Sequence, residues 1–353
     1  MIVDLFSIII IIIVVKSFHI NKMETYIVTG GAGFIGAHVV NELVLQDNNR
    51  VIVLDDLSGG FVDNVNPKAT FIKGSITDHK LIESIFAEYD IDYVYHLAAY
   101  AAEGLSHFIK RFNYNNNLIG SVNLINEAIK SKVKCFVFTS SIAVYGANQL
   151  PMREDLIPQP EDPYGIAKYS IELELKVTKE MFGMDYVIFR PHNVYGEYQN
   201  IADKYRNVLG IFMNQIMGDK PLTIFGDGTQ TRAFSYIGDV APYIAQSVKN
   251  PKAINEIINI GADQEYSVLE LAEKIMDTMG KKVDVKFLPE RNEVQNAYSD
   301  HSKAKRIFST ENYTTLTDGV KKMVNWVEKN GARETPKFDN IEIYEKLPSV
   351  WLD

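Results

Sequence analysis

Between Thr25 and about Arg190 the chain alternates short apolar runs with longer amphipathic stretches. "TYIVTG", "RVIVLDD", "ATFIKG", "DYVYHLAA", "KCFVFTSS" and "DYVIFRP" are rich in Val, Ile, Phe and Tyr and largely lack polar alternation. Such runs predict strands buried on both faces. The segments 35–46, 78–89, 116–130 and 165–182 carry apolar residues at three-to-four spacing and predict helices. Strand–helix alternation of this kind predicts an α/β fold with a doubly wound parallel sheet of Rossmann type. After Arg190 the rhythm breaks. "GEYQNIADKYRNV" and "FGDGTQTRAFSYIGD" are irregular, Gly226–Gly228 signals a turn, and helix-like runs follow at 239–249 and 267–279. The pattern divides the chain into an apolar extension (1–22), a first α/β unit (23–190), a smaller α/β substrate-binding portion partly interwoven with it (191–330), and a surface-packed tail (331–353).

The extension holds one unbroken apolar run, Ile8 to Val15. A spanning helix wants roughly twenty such residues. Asp4 precedes the run, no Lys or Arg lies in front of it, and no clear small-residue cleavage site follows, so it is a poor secretory signal. Met23 opens "METYIVTGGAGFIG", and residues 1–22 read as a dispensable extension, with a membrane anchor or organelle-directing segment as the alternative. The working part is expected in the cytoplasm.

Composition narrows the classes. Over 353 residues, 46% apolar and 23% charged content are ordinary for a globular protein with a sizeable core. A net charge of −9 argues against a nucleic-acid partner, which would need surplus Lys and Arg. The single cysteine, Cys135, excludes an intrachain disulfide, and the seven histidines show no paired metal-ligand spacing, so no metal site is expected.

Three constellations carry chemistry. In "TGGAGFIG" the glycines Gly30, Gly33 and Gly36 follow a predicted strand and open a predicted helix with Phe34 and Ile35. Glycine allows the tight turn and the close approach of backbone to a pyrophosphate at the helix N-terminus. Asp55, at the end of "VLDD", can accept hydrogen bonds from ribose hydroxyls and would repel a 2′-phosphate, which favours NAD over NADP. In "YGIAK" Tyr164 and Lys168 are four apart and share a helix face. A free tyrosine has a pKa of about 10, and a neighbouring ammonium, helped by a positive nicotinamide ring, is expected to lower it into the range of a useful base. Ser141 ends a predicted strand, where it faces the crevice in which ligands of such sheets bind.

With these residues in view, the chain resembles an extended short-chain dehydrogenase/reductase of the NAD-dependent UDP-sugar 4-epimerase kind. The resemblance covers about Glu24 to Val327 and rests on "TGGAGFIG", "DDLSGG", "HLAA", "SSIAVYG", "YGIAK", "RPHNVYG" and "DHSKA". It implies that Tyr164, Lys168 and Ser141 are catalytic. It implies that Ser75 and Ile76 lie by the adenine, where relatives often carry an aspartate in place of Ser75. Leu97, Ala98 and Ala99 would line the nicotinamide path, with Asn116 or Asn117 supporting that strand. His192 and Asn193 would lie by nicotinamide and substrate, and Asn207, Val208, Thr223, Phe225, Arg232 and Arg291 would grip the uridine diphosphate. Ala297 would stand where a bulky tyrosine in relatives crowds an N-acetyl group, so both plain and N-acetylated hexoses are expected. A homodimer formed through helices near 105–130 and 165–182 is implied as well.

Ile142 and Ala143 separate this chain from dehydratases of the same superfamily. Those enzymes carry an Asp-Glu pair here, because eliminating water needs an acid and a second base. With two apolar side chains, only reversible transfer of a hydride and a proton at one carbon remains. The expected activity is therefore C4 epimerisation of a UDP-hexose through a transient 4-keto sugar. A uronic-acid 4-epimerase, a keto-sugar reductase and a non-catalytic NAD-binding scaffold are the alternatives.

Overall fold

The computed structural model describes residues 23–351 apart from 47, 148, 291–293, 311–312 and 336–337, so the apolar extension and Arg291 lie outside the described residues. Seven parallel strands form the central sheet. They are β1 (Glu24–Thr29), β2 (Asn49–Asp55), β3 (Thr70–Lys73), β4 (Tyr93–His96), β5 (Cys135–Thr139), β6 (Asp185–Pro191) and β7 (Glu256–Ile260), in the order β7-β6-β5-β4-β1-β2-β3. Order reverses between β1 and β4, which pair in parallel through Tyr26–Thr29 and Tyr93–His96. That reversal opens a crevice beyond the carboxyl ends of the strands.

Alternation along β1 explains the layering. Tyr26 and Val28 enter one core, with Val39, Val40 and Leu43 of α1 (Phe34–Val44). Ile27 points the other way, into a core with Ile82 and Ile85 of α2 (His79–Glu88), Leu124 of α3 (Gly120–Lys130) and Ile171 of α4 (Pro163–Phe182). A strand so covered has no solvent face to mark with polar residues. Local signals set the helix ends. The Asp78 carboxylate accepts from the N–H groups of Lys80 and Leu81 and caps α2. Asp162 caps α4 by accepting from Gly165 N–H, with Pro163 in the first turn and Gly183 closing it at φ 79°.

One helix starts earlier than its apolar spacing suggests. Ahead of α3 run a short helix, Lys110–Tyr114, and a widened π-turn, Asn115–Ile119. The side chains of this asparagine-rich stretch hold main chain elsewhere. Asn113 donates to Pro163 O at 2.8 Å, and Asn117 binds both main-chain polar groups of Tyr100. Those long-range bonds, not periodicity, set the helix start.

Beyond β6, α5 (Val208–Met217), α6 (Ala241–Gln246), α7 (Val268–Met279), α8 (Ser302–Phe308) and α9 (Leu316–Asn330) surround small strand pairs. Thr231–Ala233 lies between Glu265–Ser267 and Asn296–Ala297, and Leu222–Phe225 pairs with Val285–Leu288. β7 leaves this portion and joins the main sheet beside β6. The tail returns to the first unit, where Leu347 and Trp351 are buried with Tyr100, Leu105 and Ile109. Among the described residues no helix is long and apolar enough to cross a membrane, and no cluster of His, Cys, Asp and Glu is placed to hold a metal ion.

Candidate active site

A cavity of about 860 Å³ lies over the crevice between the sheet's strand ends and the second portion. Its floor is the glycine turn. Gly30 has φ 72°, and a Cβ there would sit 2.7 Å from Ala98 N; a Cβ on Gly36 would sit 2.0 Å from Gly30 O. The two strands and α1 are thus packed too closely for any side chain. The N-cap of α1, Gly33, has no side chain to satisfy the first-turn N–H groups, which fits a pyrophosphate there. Asp55 ends β2, and its carboxylate accepts from Ala32 N–H at 3.0 Å and Leu57 N–H at 2.8 Å. Burial pushes its pKa up, and the Leu57 and Ala32 hydrogen bonds oppose that. Phe34, Ile35, Ser75, Ile76, Leu97, Ala98, Ala99 and Asn116 line the same cavity. The residues present therefore fit a dinucleotide. Of the two asparagines, Asn116 faces the cavity and donates to Asn117 Oδ1, while Asn117 does the structural work on Tyr100.

Ser141, Tyr164 and Lys168 come together at the end of β5. Tyr164 lies close enough to the Ser141 hydroxyl for it to draw the phenol's pKa down, and Ser141 Oγ accepts from Ala143 N–H at 3.1 Å. Lys168 is buried, and its Nζ donates to Thr139 O at 2.8 Å and lies 5.7 Å from the centre of the Tyr164 ring. Without the dinucleotide's positive ring the phenol is not held acidic by its lysine alone. Burial drives the Tyr164 phenol well above its usual range, and the Ser141 hydroxyl only partly offsets it. Burial also brings Lys168 down to about 7, with the Glu172 carboxylate opposing the fall. In a dry cavity each group resists charge, and ordering them as a base needs a further positive charge nearby.

Glu172, one turn beyond Lys168, anchors this corner. Its Oε1 accepts from Ser140 Oγ at 2.6 Å and from Arg190 Nε at 2.9 Å, and Oε2 accepts from Arg190 Nη2 at 2.5 Å. Both members of the ion pair are fully enclosed. Sequence reasoning missed this pair, because its residues are 18 apart and on different elements.

The opposite wall comes from the second portion. Asn193, Asn207, Val208, Thr223, Phe225, Arg232 and Ala297 all line the cavity. Asn207 takes φ 65°, a conformation Asn tolerates, and donates to Val194 O at 2.6 Å as α5 begins. Thr223 Oγ1 accepts from Gln215 Nε2 at 2.8 Å. The Arg232 guanidinium is held by three main-chain carbonyls, those of Thr231, Gln295 and Val294. Ala297 is 6% exposed and pairs in register with Arg232.

His192 borders the cavity in a network the motif did not foretell. Its Nδ1 lies 3.0 Å from Ala233 O and must donate, so Nε2 accepts, 3.0 Å from His301 Nε2. His301 Nδ1 in turn lies 2.6 Å from Asp263 Oδ1. His301 thus links Asp263 through Nδ1 to His192 through Nε2, with Ser299 Oγ 3.4 Å from the same Nε2. The hydrogen bond from His301 holds Asp263 down at about 2, and burial, then the His301 charge, brings His192 to about 3.

Comparisons with known proteins agree with this geometry. Residues 26–261 match the model of the NAD dependent epimerase/dehydratase family. A protein of Methanocaldococcus jannaschii that carries the provisional name UDP-glucose 4-epimerase is 38% identical over 307 residues, covering 86% of this chain and 98% of that protein. The crystal structure of UDP-glucose 4-epimerase with UDP-glucose from Thermotoga maritima superimposes with a TM-score of 0.83 at 35% identity, covering 87% and 99% of the two chains. UDP-N-acetylglucosamine 4-epimerase from Methanobrevibacter ruminantium, in complex with UDP-N-acetylmuramic acid, gives 0.80 at 32% identity, covering 88% and 99%.

Proposed function

Because the chain belongs to the NAD dependent epimerase/dehydratase family, we propose that it inverts C4 of a UDP-hexose reversibly through a transient 4-keto sugar. The observation that carries this reading is the Tyr164–Ser141–Lys168 group beside two apolar cavity residues, Ile142 and Ala143. Nothing at those two positions can protonate a leaving hydroxyl, so elimination has no acid there.

When bound, NAD supplies the acceptor for the C4 hydride and gives it back, which leaves the dinucleotide unchanged after each turnover. Gly30, Gly33, Phe34, Ile35 and Gly36 would hold its pyrophosphate, Asp55 its adenosine ribose, and Ser75 and Ile76 would lie by the adenine. Leu97, Ala98, Ala99 and Asn116 would line the way to the nicotinamide, with His192 beyond. Tyr164, as the phenolate, takes the proton from the C4 hydroxyl and returns it when the ketone is reduced, and Ser141 shares the hydrogen bond to that oxygen. Lys168 adds positive charge beneath the phenol once the cavity is filled. Asn193, Asn207, Val208, Thr223, Phe225, Arg232 and Arg291 hold the uridine diphosphate while the ketone turns its other face. Ala297 leaves room at C2, so UDP-GlcNAc and UDP-GalNAc are substrates alongside UDP-glucose and UDP-galactose.

The deciding experiment adds UDP-glucose, UDP-GlcNAc or UDP-glucuronate to the purified protein without added NAD. UDP-galactose and UDP-GalNAc should form. Conversion of UDP-glucuronate alone, or no conversion at all, would overturn the reading. A homodimer is part of the proposal: Ile166, Leu173 and Val177 leave an exposed apolar stripe along α4.

A further inference from the structure

The segment between β6 and α5 brings a guanidinium to the mouth of the dinucleotide crevice. Arg206 packs on Gly59, where a Cβ would lie 3.2 Å from Nη2, and its Cζ sits 4.7 Å from the centre of the Tyr100 ring. Gly60, the next residue, is pressed on the glycine turn: a Cβ there would meet Ala32 C at 2.6 Å and Gly33 N at 2.8 Å. The guanidinium therefore lies one residue away from the loop that covers the start of α1. On its other side is Tyr100, directly after Leu97–Ala99. It stands between the loop over the start of α1 and the residue that follows Leu97–Ala99.

Its aim is fixed from behind. The buried carboxylate of Asp203 accepts from Arg206 Nε at 2.6 Å and from Nη2, and its other oxygen accepts from Tyr205 N–H at 2.8 Å. The Tyr205 ring packs on Trp351 and Phe338 of the tail, at 5.8 and 6.0 Å between centres. A planar guanidinium held this way suits paired phosphate oxygens better than a mobile lysine would.

We propose that Arg206 is a clamp on the pyrophosphate of the dinucleotide, closing over it from the side opposite the N-terminus of α1. The inference rests on NAD as the resident cofactor. It assigns cofactor retention, not chemistry, to the Asp203–Arg206 pair.

The test measures release of bound NAD into a trapping dehydrogenase, together with binding of UDP to NAD-loaded protein. Arg206→Gln should release NAD at least about tenfold faster, with Arg206→Lys in between and UDP binding unchanged. Unchanged NAD release would overturn the clamp. So would weakened UDP binding with normal NAD release, which would assign the guanidinium to the sugar nucleotide. Wild-type protein that holds no NAD would overturn the cofactor reading itself, a distinct result. If Arg206→Gln does not fold, Arg206→Lys carries the test alone, since it keeps the charge and loses the fork: faster NAD release supports the clamp and unchanged release overturns it.

Discussion

Lys168 donates its Nζ hydrogen to the carbonyl oxygen of Thr139 at 2.8 Å, and the Tyr164 ring centre lies 5.7 Å away. The lysine is thereby tied to the end of β5 before it acts on the phenol. Enclosed this way it titrates at about 7, whereas the unfolded chain would keep its proton up to the ordinary lysine value of 10.5. Between those values the unfolded state binds more protons, so this residue makes stability rise with pH from about 7 towards 10.5. The unliganded Lys168→Met variant should show a flatter rise of Tm with pH over that window. Parallel curves for variant and wild type would contradict the burial argument.

Removal of the phenol oxygen leaves the cavity intact. Tyr164→Phe should lower kcat by about 10³-fold, within the usual range for a lost acid–base group, while bound NAD is retained. The check is a steady-state assay alongside the NAD content of the purified variant. Near-normal turnover would remove Tyr164 from the proposed role.

At Gly36 the backbone leaves no room, since an added Cβ would stand 2.0 Å from Gly30 O. Gly36→Ala should cost about 1–3 kcal/mol of stability or more as β1 and α1 are forced apart. The same shift spoils the turn, so NAD binding should fall with it. Calorimetry and NAD content report the two effects separately, and an unchanged Tm would show that the turn is looser than described.

Glu172 is enclosed with Arg190, and truncating either partner leaves a charge stranded. Glu172→Ala should therefore destabilise by about 3–5 kcal/mol, read from urea unfolding. Glu172→Gln keeps the shape and one acceptor and should lose less. Equal losses for the two variants would mean that the lost charge alone governs this corner, and no loss for Glu172→Gln would mean that shape does.

Ala297 is buried at the cavity wall in register with Arg232. Ala297→Tyr should cut activity on UDP-GlcNAc at least about tenfold and spare UDP-glucose, because one crowded pocket discriminates by only a few kcal/mol. Loss of both activities, or of neither, would contradict the assigned position.

The parts of this site that were legible in advance are those whose chemistry is local. Gly30 to Gly36 announce a turn within seven residues, and Tyr164 and Lys168 declare a shared helix face by their spacing. Val- and Ile-rich runs marked the strands, because burial on both faces suppresses alternation. What stayed hidden is held across distance. His301 reaches His192 over 109 positions, Arg190 meets Glu172 over 18, and Asn117 fastens Tyr100 over 17. None of these pairs has a motif, since a hydrogen bond between elements leaves no periodic trace. "EIINI" (β7) has the look of any apolar run until its partner β6 is known. The dryness around Tyr164 stayed hidden for a related reason: spacing reports proximity to Lys168 but says nothing of burial.

The return of β7 to the main sheet has a mechanical result. Five residues of late sequence lie in register with Val187–Pro191, so the segment carrying Asn193 through Arg232 is tethered at both ends to one rigid frame. A chain cut after Arg190 would expose β6 as a sticky, unpaired border.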